Sequence, residues 1–168
     1  MKTNPITLLV HDRPAPLATV GSQLASQGSE LRHARTCGEA AAILWSNAPP
    51  HVVLTDISLP DGNWTDVLKL AEGAPEAVNV IVVSPFWEIG FYIDAVECGA
   101  FDFLAPPFVP DDVLLTVQSA IANAVYSRRQ PACQRTPPRA GADPRQAAGT
   151  QAPIDLERSE VVEEELDS

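Results

Sequence analysis

The chain has 168 residues, 45% of them hydrophobic and 20% charged, which suits one folded domain with a real core plus an extension. No apolar run approaches the roughly 20 residues a membrane helix needs, and the stretch after Met1-Lys2-Thr3-Asn4-Pro5 is too short for a secretory signal, so the expected location is the cytoplasm, away from the membrane. The formal net charge is −11, and the part up to Val125 holds 14 acidic against 5 basic residues, a surface that repels phosphate backbones and argues against direct nucleic-acid binding.

The first predicted element is a strand, Ile6-Thr7-Leu8-Leu9-Val10, nearly all apolar and rich in β-formers. A helix follows, with Leu17, Val20, Leu24 and Ala25 on one face and Gly28 as its stop. Leu31 to Arg35 is a weaker strand, polar enough for a sheet edge. The Ala-rich stretch from Glu39 to Asn47 is a second helix that ends before Pro49-Pro50. His51-Val52-Val53-Leu54-Thr55 is the next strand. Trp64 to Glu72 is a third helix, with Val67, Leu68 and Ala71 at helical spacing and Gly73 behind. Val78 to Val83 is another apolar strand. Glu88 to Cys98 is a fourth helix with Ile89, Tyr92, Ile93 and Val96 as its apolar positions. Ala100-Phe101-Asp102-Phe103-Leu104 is the last strand. Asp111 to Tyr126 is the last helix, with Pro110 at its start.

Five strand–helix units with short connections predict an α/β domain with a five-stranded parallel sheet, doubly wound into three layers. Continuous apolarity in the strands fits burial on both sheet faces. The domain is expected over residues 1–127. Residues 128–168 read as a disordered Pro-, Ala- and Arg-rich linker followed by an acidic tail, Ile154 to Ser168. Cys37, Cys98 and Cys133 form no CxxC pair, which supports neither a zinc site nor a disulfide framework.

In open parallel sheets, ligands bind at the carboxyl ends of the strands. Asp12 follows the first strand, Asp56 the third, and Ser84 the fourth, so all three are expected on one rim. Two carboxylates and a hydroxyl there suit a hard cation and a phosphoryl group. No GxGxxG or GxxxxGK[ST] occurs, which excludes the common nucleotide loops. Asp56-Ile57-Ser58 lacks the second acid that an Asp-nucleophile phosphohydrolase needs to protonate a leaving group, so no enzyme is expected.

The motifs together resemble response-regulator receiver domains of two-component signalling, a flavodoxin-like fold. The resemblance is carried by Leu8 to Pro14, Val52 to Gly62, Val80 to Ser84, Gly99 to Leu104 and Pro107-Phe108, in the order and spacing of that family. It implies that Asp56 accepts the phosphoryl group. It implies Asp12, Asp56 and the backbone carbonyl of Ser58 as Mg²⁺ ligands, and Ser84 as the hydroxyl that contacts the phosphoryl oxygens. Phe103 occupies the place of an aromatic that changes rotamer on activation. Without a phenol hydroxyl, Phe103 has no hydrogen-bonded inward state.

Two departures make the chain an atypical receiver. His11 replaces the first of two adjacent acids, which removes charge from the metal site, and its imidazole is a doubtful ligand. Pro106 replaces the lysine that pairs with the acceptor and then with the phosphoryl group. The bond Pro106–Pro107 is expected to be cis. Ser84 is also placed to cap the following helix. Trp64 is expected to pack against the loop before it. Trp87, Phe91 and Tyr92 are expected partly in the core, with an exposed partner patch as the other reading.

The resemblance implies a receiver in a phosphorelay, and because no helix-turn-helix pattern or catalytic constellation follows residue 127 it is expected to stand alone. Its donor would be a histidine kinase or a phosphotransfer protein. Its output would be a downstream protein partner, or a homodimer formed through the face of the fourth helix, fifth strand and fifth helix. The competing reading is a protein-interaction module that keeps the fold and works without phosphorylation.

Overall fold

In the computed structural model, residues 4–130 are described. The expectations for the linker and the acidic tail from 131 onward, Cys133 included, lie outside them. Strand β1 (Ile6–Val10) leads to α1 (Leu17–Ala25), β2 (Glu30–Ala34) and α2 (Cys37–Leu44). Strand β3 (Val52–Asp56) leads through a two-rung antiparallel ladder, β4 (Ser58–Leu59) with β5 (Gly62–Asn63), into α3 (Trp64–Glu72). Then come β6 (Asn79–Val83), α4 (Ile89–Glu97), β7 (Asp102–Leu104) and α5 (Pro110–Arg129).

The five long-range strands form one sheet in the order β2-β1-β3-β6-β7, every neighbouring pair parallel. The polar strand β2 lies at an edge, as its composition predicts. The order reverses beside β1, which has β2 on one side and β3 on the other. Strand side chains alternate between two cores. Leu8, Val10, Val53, Val80 and Val82 pack with α2 and α3 on one face. Leu9, Val52, Leu54, Ile81 and Val83 pack with Leu17, Val20 and Leu24 of α1 and Val113 and Val117 of α5 on the other. This two-sided burial is the reason the strands read as unbroken apolar runs.

The local signals explain the helix bounds. Thr36 caps α2 by accepting from the Glu39 N–H at 3.1 Å. The Asp61 carboxylate accepts from the Cys37 and Gly38 N–H groups at 2.7 and 3.0 Å. These partners start α2 two residues earlier than its Ala-rich pattern suggests, and it ends at Leu44, short of Asn47. A capping box starts α3: Asn63 Oδ1 accepts from the Thr65 N–H at 2.8 Å, and Asp66 Oδ2 accepts from the Asn63 N–H at 3.0 Å. The hairpin β4–β5 was absent from the sequence reading, because two-residue strands carry no periodic signal. Trp64, at its end, is buried in the core cluster, whereas the sequence predicts packing against the loop.

Two expectations need correction. Helix α4 buries Ala95 and half-buries Phe91 and Tyr92, whereas Ile89, Ile93 and Val96 are exposed. Its apolar residues form two stripes, and only packing selects the inward one. Helix α5 continues past residue 127 to Arg129, because Arg128 is anchored: its Nε donates to the Ala77 carbonyl at 2.9 Å.

Candidate functional site

Asp56 ends β3 beside the point where the strand order reverses, and it is 7% exposed. Its Oδ1 accepts from the Ile57 N–H at 2.8 Å. Burial pushes its carboxyl above the ordinary carboxylate range, against the opposing pull of that N–H and of the nearby His11 and Arg13 side chains. A cavity of about 430 Å³ opens over it, with Asp12, Arg13, Ser58, Pro85 and Phe86 in its wall. Asp12, Asp56 and Ser58 thus line one cavity, and Ser84 does not.

Asp12 is engaged. Its Oδ1 accepts from Arg35 Nη2 at 2.9 Å and Nε at 3.2 Å. Sequence reasoning did not single out Arg35, although its place directly after β2 puts it on the same rim. His11 does not line the cavity. Its Nδ1 sits 2.6 Å from the Arg13 carbonyl, so this nitrogen must be the donor and offers a metal no lone pair.

Ser84 is fully buried and is not among the residues that line the cavity. Oγ donates to the Phe86 carbonyl at 2.7 Å and accepts from the Phe86 N–H at 3.2 Å. It therefore closes its own turn. It does not cap α4, whose cap residue Glu88 makes no side-chain bond. Phe103 is buried, with its ring edge-on to Trp87 at 6.0 Å and to Tyr92 at 6.3 Å. Trp87 itself is 59% exposed, so of the three aromatics expected partly in the core only Phe91 and Tyr92 are. The Pro106–Pro107 bond is cis, as expected. Pro106 is exposed and does not line the cavity.

Among the residues that line the cavity, Arg13 carries the one basic side chain. Sequence reasoning missed it too, because the first-strand motif drew attention to the acids before it. Among the described residues, no three His, Cys, Asp or Glu side chains gather into a metal cluster. The cavity's donors still fit Mg²⁺ in kind, since that ion takes one or two carboxylates and completes its shell with carbonyls and water. Asp12 would have to exchange Arg35 for the ion.

Residues 7–118 match the family described as response regulator receiver domain. The chain is 32% identical over 114 residues to the regulatory protein AtoC of Escherichia coli, an alignment that covers 68% of this chain and 24% of that protein. It is 31% identical over 107 residues to the acid tolerance regulatory protein ActR of Rhizobium meliloti, covering 64% and 55% respectively. The chain thus spans about half or less of these relatives. A CheY-like receiver domain from Methanospirillum hungatei superposes with a TM-score of 0.62 at 26% identity, covering 74% of this chain and 98% of that one. The beryllofluoride-activated NtrC4 receiver domain dimer superposes at 0.60 and 26% identity, covering 71% and 98%. Among the described residues, no helix is long and apolar enough to cross a membrane.

Proposed function

The chain belongs to the response regulator receiver domain family, and from that premise we propose that it accepts a phosphoryl group on Asp56 and signals through protein contacts. The carrying observation is the position of Asp56: a buried carboxylate at the carboxyl end of a central strand, open to one cavity shared with Asp12 and Ser58. In the reaction, a carboxylate oxygen of Asp56 bonds to phosphorus as the donor's phosphorus–nitrogen bond breaks. The leaving nitrogen carries off the bond pair. Asp56, Asp12 and the Ser58 carbonyl would hold Mg²⁺, which when bound supplies charge neutralisation at the phosphoryl oxygens. Ser84 would reach those oxygens after releasing Phe86.

On this reading the domain works in the cytoplasm, with a histidine kinase or phosphotransfer protein as donor. The output face is α4 with β7 and α5, where Trp87, Ile89, Ile93 and Val96 are exposed and Phe103 lies beneath Trp87. That face would take a downstream protein or a second copy, and NtrC4's activated dimer supports the latter.

The test is intact mass after incubation with Mg²⁺ and phosphoramidate. The expected result is one phosphoryl adduct that is lost in Asp56→Ala. A protein that stays unmodified while Asp56→Ala still binds its partner would sink the proposal. It would favour the second reading, an interaction module that works without phosphorylation. Pro106 and the engagement of the Ser84 hydroxyl by the Phe86 backbone are the features that favour that alternative.

A further inference from the structure

We propose that Arg13 is the cation that faces the phosphoryl group on Asp56, in place of the lysine that Pro106 replaces, and that His11 positions it. This inference rests on the reading of Asp56 as the acceptor. The cavity over Asp56 has one basic wall residue, Arg13. The other cation on this rim, Arg35, is occupied by Asp12 at 2.9 Å. Arg13 has no ion pair among the described residues.

The loop that carries Arg13 is held at several points. The His11 imidazole donates to the Arg13 carbonyl at 2.6 Å. The Ala18 N–H donates to the Pro14 carbonyl at 2.6 Å, and Pro16 is buried at the start of α1. The guanidinium stem thus leaves from a fixed backbone position. A guanidinium presents a planar fork that matches two phosphoryl oxygens, so it serves the lysine's role with two charge-assisted bonds. The two departures from the family pattern then form one arrangement. The cation has moved from the turn after β7 to the loop after β1, and the residue that replaces the first acid braces that loop.

The experiment compares wild type with Arg13→Ala, Arg13→Lys, His11→Ala, and Arg13→Ala combined with either Pro106→Lys or His11→Ala. Each is treated with phosphoramidate and Mg²⁺ and followed by intact mass, and each is titrated with beryllofluoride in Mg²⁺. Circular dichroism and thermal unfolding verify the fold. Loss of a hydrogen bond to a charged group predicts a reaction and a beryllofluoride affinity lower by roughly 10- to 100-fold in Arg13→Ala. Arg13→Lys retains part of both, and Pro106→Lys restores most of what Arg13→Ala loses. His11→Ala slows the wild type but adds nothing to Arg13→Ala, as two residues acting through one another must.

A folded Arg13→Ala that reacts and binds like wild type overturns the role of Arg13. So does failure of Pro106→Lys to restore a folded Arg13→Ala. Further slowing of Arg13→Ala by His11→Ala overturns the positioning role alone. A wild type that takes neither phosphoryl group nor beryllofluoride removes the acceptor reading itself, and this inference with it.

Discussion

The Arg35 guanidinium holds the Asp12 carboxylate at 2.9 Å, across the rim between β2 and β1. A divalent cation bound at Asp12, as proposed, would therefore compete with Arg35 for one carboxylate. Both side chains are substantially exposed, at 71% and 40%, so the pair stabilises the fold little. Arg35→Gln is expected to raise Mg²⁺ affinity by roughly two- to fivefold, the range of an exposed ion pair, with the unfolding midpoint almost unchanged. Mg²⁺ titration followed by tryptophan fluorescence or NMR measures it. An equal or weaker affinity in the variant would contradict the competition.

Burial raises the Asp56 carboxyl above the ordinary range, so the fold disfavours its charged form. With the folded-state value above the unfolded one, stability is full below the unfolded value and falls as pH rises through the interval. Asp56→Asn is thus expected to be more stable than wild type at neutral pH. The gain should vanish below roughly pH 3.5, where the unfolded carboxyl is protonated as well. Denaturant unfolding of both proteins across that range measures it, and a gain that persisted in acid would refute the burial cause.

Asp61 shows the opposite sign. The Cys37 and Gly38 N–H groups hold its carboxyl below the ordinary range. A depressed acid contributes stability above its unfolded value and loses it as pH falls through the folded one. Asp61→Ala is expected to lower the unfolding midpoint at neutral pH, and the gap to wild type should close as acid protonates Asp61. It also removes the clamp between the loop before β5 and the start of α2. Amide exchange should consequently speed up at Cys37 and Gly38 first.

Phe103 and Trp87 touch, yet one is buried and the other exposed. Phe103→Ala empties a core position and is expected to cost about 3–5 kcal/mol. Trp87→Ala leaves the core intact and should cost well under that amount. It should instead weaken whatever docks on the α4 face. Urea unfolding separates the two. Comparable losses in both variants would show that Trp87 is part of the core.

Most of the fold was legible in the residues. β1 and α3 match their expected bounds, and the other four strands of the parallel sheet shift by no more than two residues, because apolar runs, caps and glycine stops are local signals. The acids of the site were legible for a related reason. A residue at the carboxyl end of a parallel strand must reach the rim, so Asp12 and Asp56 had to meet. The hydroxyl of Ser84 was not predictable in this way. Its position at the end of β6 is local, but the choice between Asp56 and its own turn depends on atoms two residues on.

The sequence by itself determined that Asp56 ends a central strand, that His11 and Pro106 break the family's charge pattern, and that five parallel strands bury both faces. The strand placement and its burial follow from the chain's periodicity, and the two breaks follow from the resemblance to the family's motifs. Only the tertiary structure decided which cations lie near which acids. Arg35 and Asp12 are 23 positions apart and meet through the β1–β2 pairing. Arg13 lies beside Asp12 in the chain, yet it shares a cavity with Asp56, which comes from β3. Charges pair across space at a few ångströms, and sequence distance does not constrain that once strands from different parts of the chain lie side by side.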